Sequence, residues 1–238
     1  MSMQKVFLVS TLGCSEVING IRYVKKIDNT NGICRQLYDV IPNRRKMVFF
    51  AGAPNMYEAT DSYAQLTFQS FGLSEIGFHS FSIIDDRFSG SIEDEVDSSD
   101  LVFLMGGDPR VQMQFFEQID LRALLEHYQG VIIGQSAGAI NLATSVLCGP
   151  ECQEEIGREY EWPGLGKTRI NIEPHFKVQV EGKEDRLLRN ELLKLSYHNP
   201  IYALCDGSHI FDNGINPTFH GKIYIIDAGT IKSIRSMI

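Results

Sequence analysis

Short apolar runs recur along the first 140 residues, and three of them end at a glycine. They lie at residues 6–9, 47–51, 83–84, 101–105 and 131–133. Segments with helical spacing follow at residues 57–71, 111–128 and 137–145, and the second of these is predicted to break near Asp120. Uninterrupted apolar strands that alternate with helices are typical of a parallel sheet covered on both faces. The sequence therefore predicts an α/β fold with a mostly parallel sheet.

The last third of the chain has a different pattern. A helix is predicted over residues 185–196, and short strands are predicted over residues 169–172, 201–205, 208–211 and 222–227. Turn residues separate the final three strands, which favours an antiparallel edge. No linker, internal repeat or low-complexity tract interrupts the sequence, so residues 1–238 are predicted to form a single catalytic domain.

The chain is acidic, with 22 Lys and Arg residues against 30 Asp and Glu residues and a formal charge of −8. We expect no binding to nucleic acid, because an acidic chain does not attract a phosphate backbone. Neither a membrane-spanning run of ~18 apolar residues nor a signal peptide is found, so no membrane association is expected. The five cysteines form no Cys-x-x-Cys pair, and no His-Glu-x-x-His motif is present. These features predict reduced thiols, a cytoplasmic location, and no metal or other cofactor.

Ser136 lies between Gly134 and Gly138, after a predicted strand and before a predicted helix. This arrangement fits the nucleophile elbow, in which small neighbours allow a tight turn to expose a reactive serine. The alternative is a serine that merely caps the helix. Because ligands bind beyond the carboxyl ends of parallel strands, we expect Gly52, Gly106 and Gly134 to border one crevice.

A serine hydroxyl needs a base to act as a nucleophile at neutral pH. His175 follows a predicted strand and Pro174, a position that favours a catalytic role, and His209 is the alternative. A carboxylate should orient the histidine. Spacing alone leaves the candidates Glu151, Glu154, Glu155, Glu173 and Asp206 open.

Backbone amides near Ser136 are candidates for an oxyanion hole. The pair Gly106-Gly107 lets backbone nitrogens approach a ligand closely, and the amide of Ala137 follows the serine. The alternative for the glycine pair is a plain turn before a helix. We therefore expect oxyanion contacts from Gly106, Gly107 and Ala137.

Three motifs together resemble the peptidase E family of aspartyl dipeptidases, to which cyanophycinases are related. They are Gly-Gly-Asp-Pro at residues 106–109, Gly-Gln-Ser-Ala-Gly-Ala at residues 134–139, and Pro-His-Phe at residues 174–176. Their order and separations fit over roughly residues 45–210. The resemblance implies a three-layer α/β/α sandwich similar to the class I glutamine amidotransferase domain. The stretch at residues 15–40 departs from the family pattern and is not assigned a role.

The resemblance also implies roles for individual residues. Ser136 would be the nucleophile, His175 the general base and Glu151 the third member, at the place where the family has Asp. An arginine at the start of a helix would bind the substrate's β-carboxylate, and Arg186 and Arg189 occupy that region. Their alternative is a solvated helix face. Asp108, at the position where the family has Asn, is the third candidate for substrate binding. Relatives also suggest a homodimer.

We therefore expect a serine dipeptidase that hydrolyses small peptides with an N-terminal Asp through a Ser-His-Glu acyl-enzyme mechanism. Two other functions remain possible from the sequence. An esterase of the α/β-hydrolase fold shares the elbow, although its histidine usually lies nearer the C-terminus than His175 does. A non-enzymatic, amidotransferase-like binding protein would have no activated serine.

Overall fold

The computed structural model describes residues 5–150 and 160–234. Its strands are β1 (Lys5–Val9), β2 (Ser15–Ile18), β3 (Ile21–Val24), β4 (Lys46–Phe50), β5 (Ser80–Ile84), β6 (Leu101–Leu104), β7 (Val131–Gln135), β8 (Ser145–Leu147), β9 (Glu161–Pro163), β10 (Asn171–Glu173), β11 (Ile201–Leu204), β12 (His209–Asp212), β13 (Thr218–His220), β14 (Ile223–Asp227) and β15 (Thr230–Ile234). Its helices are α1 (Ile33–Val40), α2 (Tyr57–Leu73), α3 (Ile92–Asp97), α4 (Pro109–Gln118), α5 (Leu121–Leu124), α6 (Ala137–Ile140) and α7 (Gly182–Leu195).

The main sheet has the strand order β13-β12-β1-β7-β6-β4-β5 within the described residues. Five neighbouring strands pair in parallel, in the order β1, β7, β6, β4 and β5. β12 and β13 extend the sheet beyond β1 by antiparallel pairing. The prediction of a mostly parallel sheet is confirmed, and an antiparallel edge is present as expected from the last third of the sequence.

Successive strand residues point to opposite sides of this sheet, so apolar strands give it two apolar faces. Helices cover both of these faces. One apolar core joins Val48 and Val102 of the sheet to Val96 of α3, Phe116 of α4 and Leu121 of α5. A second core joins the alternate residues of the same strands, such as those at positions 49 and 103, to α1 and α2. The three-layer α/β/α sandwich implied by the resemblance is confirmed.

A smaller sheet carries part of the site. Its strand order is β10-β11-β14-β15, and α7 packs on it through Leu192, which shares an apolar cluster with Ile201 and Ile226. β10 and β11 pair in parallel, with Asn171 opposite Ile201. The residues that follow these two strands are therefore neighbours, although α7 separates them in sequence.

Two local predictions have different outcomes. The break near Asp120 is confirmed, since this residue has a φ of 48° between α4 and α5. The helix expected over residues 137–145 ends at Ile140, because the chain turns there into β8, which pairs with β9.

The hairpin of β2 and β3 was not predicted, although its Asn19-Gly20 turn is a strong hairpin signal and both residues have positive φ.

Neither a membrane-spanning helix nor a metal-binding cluster is found in residues 5–150 and 160–234. No helix there is both long enough and apolar enough to cross a bilayer. The same residues contain no cluster of three or more His, Cys, Asp or Glu side chains arranged to hold a metal ion.

The His209 side chain is buried in the main sheet. Its ring stacks on that of His220 with centroids 4.7 Å apart, and its Nε2 lies 3.0 Å from Gln36 Oε1. Burial, together with the nearby His220, lowers the pKa of His209 from 6.5 to about 3. The folded state therefore keeps this imidazole neutral over a pH range in which the unfolded chain binds a proton.

We expect this difference to make the protein less stable in mild acid. Between pH 7 and pH 5 the unfolded state gains the proton and the folded state does not, so His209 should reduce the free energy of unfolding by about 2 kcal/mol. Urea unfolding at both pH values would measure the change in wild type and in His209→Gln. The exposed His79 gives the control variant His79→Gln. An equal acid loss in wild type and His209→Gln would contradict the prediction.

Candidate active site

Ser136 occupies a strained turn between β7 and α6. Its φ and ψ are 52° and −118°, and its N–H donates to the Val9 carbonyl over 2.9 Å. The flanking glycines have no room for a side chain. A Cβ at Gly134 would lie 2.6 Å from the Gly138 oxygen, and one at Gly138 would lie 2.3 Å from the Leu104 oxygen. These contacts give the physical reason for small residues on both sides of the serine.

Ser136, His175 and Asp206 form a continuous chain of hydrogen-bonding groups. His175 Nε2 lies 3.1 Å from Ser136 Oγ, and His175 Nδ1 lies 2.7 Å from Asp206 Oδ1. With the proton on Nδ1, the imidazole donates to Asp206 and accepts from the serine hydroxyl. This is the arrangement of nucleophile, base and orienting carboxylate that serine hydrolases use.

The carboxylate beside His175 is that of Asp206, whereas the resemblance implied Glu151. Glu151 lies outside the described residues. Asp206 was among the carboxylates that spacing left open, and it reaches His175 because β10 and β11 are parallel neighbours. His175 follows β10 and Asp206 follows β11, so the sheet register brings together residues that are 31 positions apart.

His175, which contacts Ser136, and Asp206, which contacts His175, are both exposed to solvent. The His175 side chain is 50% exposed and the Asp206 side chain is 63% exposed. At this exposure, electrostatic attraction between the imidazole and the carboxylate is screened by water and contributes little. The geometry of the pair must therefore be held by hydrogen bonds and by the backbone around it.

Two of the predicted oxyanion residues, Gly106 and Ala137, border Ser136. A Cβ at Gly106 would lie 3.3 Å from Ser136 Cβ, and one at Gly52 would lie 1.8 Å from the Gly106 oxygen. Gly52 and Gly106 thus approach each other closely, with Gly106 beside Ser136. The expectation that Gly52, Gly106 and Gly134 border one crevice stays a prediction, because none of the three is in the lining of the cavity that contains Ser136. Among the described residues, no hydrogen bond uses the N–H of Gly107 or Ala137. These two amides are available to a ligand.

A buried polar network, not predicted from the sequence, fixes the turn at residues 105–109. Gln112 and Asn141 are both fully buried. Gln112 Nε2 donates to the Met105 carbonyl over 2.7 Å, while Asn141 Nδ2 donates to the Pro109 carbonyl over 2.8 Å and to Gln112 Oε1 over 3.1 Å. The network ties the glycine turn to the segment that follows Ser136. Two amides at positions facing an apolar core are the signal that could have found it.

A cavity of about 370 Å³ opens beside the serine. Its lining includes Ser136, Glu173, His175, Phe176, Arg189 and Leu192.

Only one of the three predicted substrate-binding residues is in the lining of this cavity. Arg189 lines the cavity, whereas Arg186 is outside its lining and donates to the Gly182 carbonyl of its own helix. Asp108 is also outside the lining and caps α4 by accepting from the Arg110 and Val111 amides.

Arg189 is the partly buried cation of this cavity. Its guanidinium stacks on the Phe176 ring at 4.5 Å and donates to the carbonyls of Lys177 and Val178. Burial lowers the pKa of the guanidinium, and the nearby Asp185 carboxylate opposes that shift. The stacking and the two carbonyls fix the orientation of the group. A fixed and partly desolvated guanidinium is suited to binding an anion.

Comparisons with known proteins identify the family. A model of peptidase family S51 matches residues 23–216. The solved structure of a peptidase from an acI-B1 Actinobacterium superposes with a TM-score of 0.70 at 16% identity, covering 99% of this chain and 96% of that one. A candidate peptidase E protein from Listeria monocytogenes EGD-e gives a TM-score of 0.60 at 14% identity, covering 98% and 100%. No curated protein matches the sequence. At these identities the two structures establish the fold, and the match to the family model shows that the chain belongs to peptidase family S51.

Proposed function

We propose that this peptidase hydrolyses short peptides by a serine mechanism, with Ser136 as nucleophile, His175 as general base and Asp206 as the orienting carboxylate. The observation that carries the proposal is the hydrogen-bonded chain of these three side chains, with distances of 3.1 Å and 2.7 Å. The elbow and the two available amides beside it supply the remaining parts of an acyl-transfer site. Membership of a peptidase family argues against the esterase that the sequence left possible.

Each step follows from an atom in the site. Ser136 Oγ attacks the peptide carbonyl carbon while His175 Nε2 takes the hydroxyl proton. The amides of Gly107 and Ala137 hold the negative oxygen of the tetrahedral intermediate. His175 then gives its proton to the departing amine as the peptide bond breaks. Water, deprotonated by the same nitrogen, releases the acyl group and restores Ser136.

The substrate we propose is a dipeptide with an N-terminal acidic residue. Arg189 is the reason, because this residue lines the cavity that Ser136 and His175 border. A carboxylate on the residue before the scissile bond would meet this cation in a partly buried setting. Such a charged hydrogen bond is stronger than a neutral one and selects for an anion.

A panel of five dipeptides tests the proposal: Asp-Leu, isoAsp-Leu, Glu-Leu, Leu-Leu and Asn-Leu. We expect Asp-Leu to be cleaved with the highest kcat/KM. A fluorophosphonate, which labels activated serines, should modify wild type at Ser136, and mass spectrometry would locate the adduct. Absence of labelling at Ser136 would overturn the serine mechanism and favour a binding protein. Labelling combined with cleavage of another dipeptide would keep the mechanism and correct the substrate.

Arg189→Ala should abolish the preference for an acidic substrate. We expect kcat/KM for Asp-Leu to fall about 100-fold, which corresponds to about 3 kcal/mol, because a hydrogen bond to a charged group contributes up to about this much. The rate for Asn-Leu should fall far less. Arg186→Ala is the matched control, since Arg186 is on the same helix outside the cavity lining. An equal loss for Asp-Leu and Asn-Leu would show that Arg189 supports the fold of the cavity and does not read the carboxylate.

A further inference from the structure

Ser10 is a fully buried serine directly after β1 that contacts two of the three triad loops. Its Oγ donates to Asp206 Oδ1 over 2.9 Å and accepts the N–H of His175 over 2.8 Å. Its own N–H donates to the Ser208 carbonyl over 3.2 Å. One hydroxyl therefore joins the loop of the base to the carboxylate that orients the base.

These contacts meet two needs that packing does not meet. The Asp206 side chain is 63% exposed, so packing alone constrains its rotamer little, and the buried Ser10 hydroxyl supplies a fixed donor. His175 has a φ of 56°, an unfavourable conformation for a residue with a side chain. The hydrogen bond from its N–H to Ser10 Oγ offsets part of that strain.

The third triad member is held at the same place. Val9, the neighbour of Ser10, accepts the N–H of Ser136 with its carbonyl. Two consecutive residues at the end of β1 thus bind the backbone of the nucleophile, the backbone of the base and the carboxylate. The turn that carries Asp206 is further held by Asn31, whose Nδ2 donates to the Gly207 carbonyl over 2.8 Å.

We propose that Ser10 is a positioning residue that keeps His175 and Asp206 in register with Ser136. The proposal rests on the serine mechanism proposed above. Serine suits this position because a hydroxyl can donate to a carboxylate and accept from an amide at the same time. Alanine can do neither. Ser10 is outside the cavity lining, so its role is in the reaction step and not in substrate binding.

The test compares wild type, Ser10→Ala and Ser99→Ala. Ser99 is a matched control, because it is also a buried, hydrogen-bonded serine but lies before β6, at the opposite end of the strands. For Ser10→Ala we expect kcat on the best dipeptide to fall about 10- to 100-fold, as a small misplacement of catalytic groups does, with KM within twofold of wild type. The rate of fluorophosphonate labelling should fall in parallel. Ser99→Ala should keep the wild-type kcat and labelling rate.

A proton NMR signal tests the positioning role of Ser10 in the absence of substrate. The N–H proton between His175 Nδ1 and Asp206 should be strongly deshielded in wild type and Ser99→Ala, and lost or broadened in Ser10→Ala. Wild-type kcat, labelling and NMR signature in Ser10→Ala would overturn the proposal and leave the serine mechanism intact. Failure of wild type to label would instead count against that mechanism, and the NMR comparison would still decide the role of Ser10. Should Ser10→Ala not fold, Ser10→Cys, with its weaker donor and acceptor, is judged by the same measurements.

Discussion

Ser136→Ala is expected to lower kcat on the best dipeptide by about 10⁶-fold, to the level of residual catalysis by the remaining site. Loss of the nucleophile costs this much in an established serine protease triad, because no covalent intermediate can form. The variant should fold, since alanine keeps the Cβ and removes one hydroxyl. KM should change little, because the cavity beside the serine is otherwise intact.

The measurement is single-turnover hydrolysis with protein purified away from host peptidases. Ser145→Ala is a suitable control, because Ser145 is a partly exposed serine in β8 whose Oγ donates to Glu161 over 2.9 Å. It should retain the wild-type kcat. A Ser136→Ala protein with undiminished turnover would show that another group attacks the peptide.

Asp206→Asn is expected to lower kcat about 10⁴-fold. The Asp206 carboxylate accepts a hydrogen bond from the protonated Nδ1 of His175. Nε2 then carries no proton and can take the one from the serine hydroxyl. An amide can donate to Nδ1 and thereby stabilise the wrong tautomer, and this substitution costs about 10⁴ in an established triad. The Asp206→Asn variant also lacks the negative charge that would stabilise the imidazolium formed during attack.

Glu151→Gln is the decisive comparison for that prediction. The resemblance to peptidase E implied Glu151 as the third member, whereas the structure has Asp206 at 2.7 Å from His175 Nδ1. We therefore expect Glu151→Gln to keep kcat within a few-fold of wild type. If the 10⁴-fold loss occurred in Glu151→Gln and Asp206→Asn were active, the carboxylate that serves the base would be Glu151.

The difference between these two carboxylates shows where sequence reasoning ends. The sheet was predictable because strands buried on both faces are apolar at every position, and the elbow because its glycines are adjacent to Ser136. Asp206 was not, because its place depends on the parallel register of β10 and β11. Such pairing has no local signature, and α7 lies between the two strands.

The two arginines of α7 show the same limit at the scale of one helix turn. Arg186 and Arg189 are both plausible from a charged, amphipathic segment. Which of them enters the cavity depends on the rotation of the helix, which Leu192 fixes by packing into the apolar cluster of the smaller sheet. The sequence could therefore predict a pair of candidates, and the packing distinguishes them.

The crowding of glycines around Ser136 has a consequence for how this enzyme can diversify. A Cβ at Gly52 would overlap the Gly106 oxygen and one at Gly138 would overlap the Leu104 oxygen, while one at Gly106 would crowd the Ser136 side chain at 3.3 Å. Substitution at these positions would deform the backbone around Ser136. The cavity beside Ser136 is lined in part by α7, which contributes none of Ser136, His175 and Asp206. New substrate preferences can thus arise by exchanging residues of one helix while the reaction centre stays unchanged.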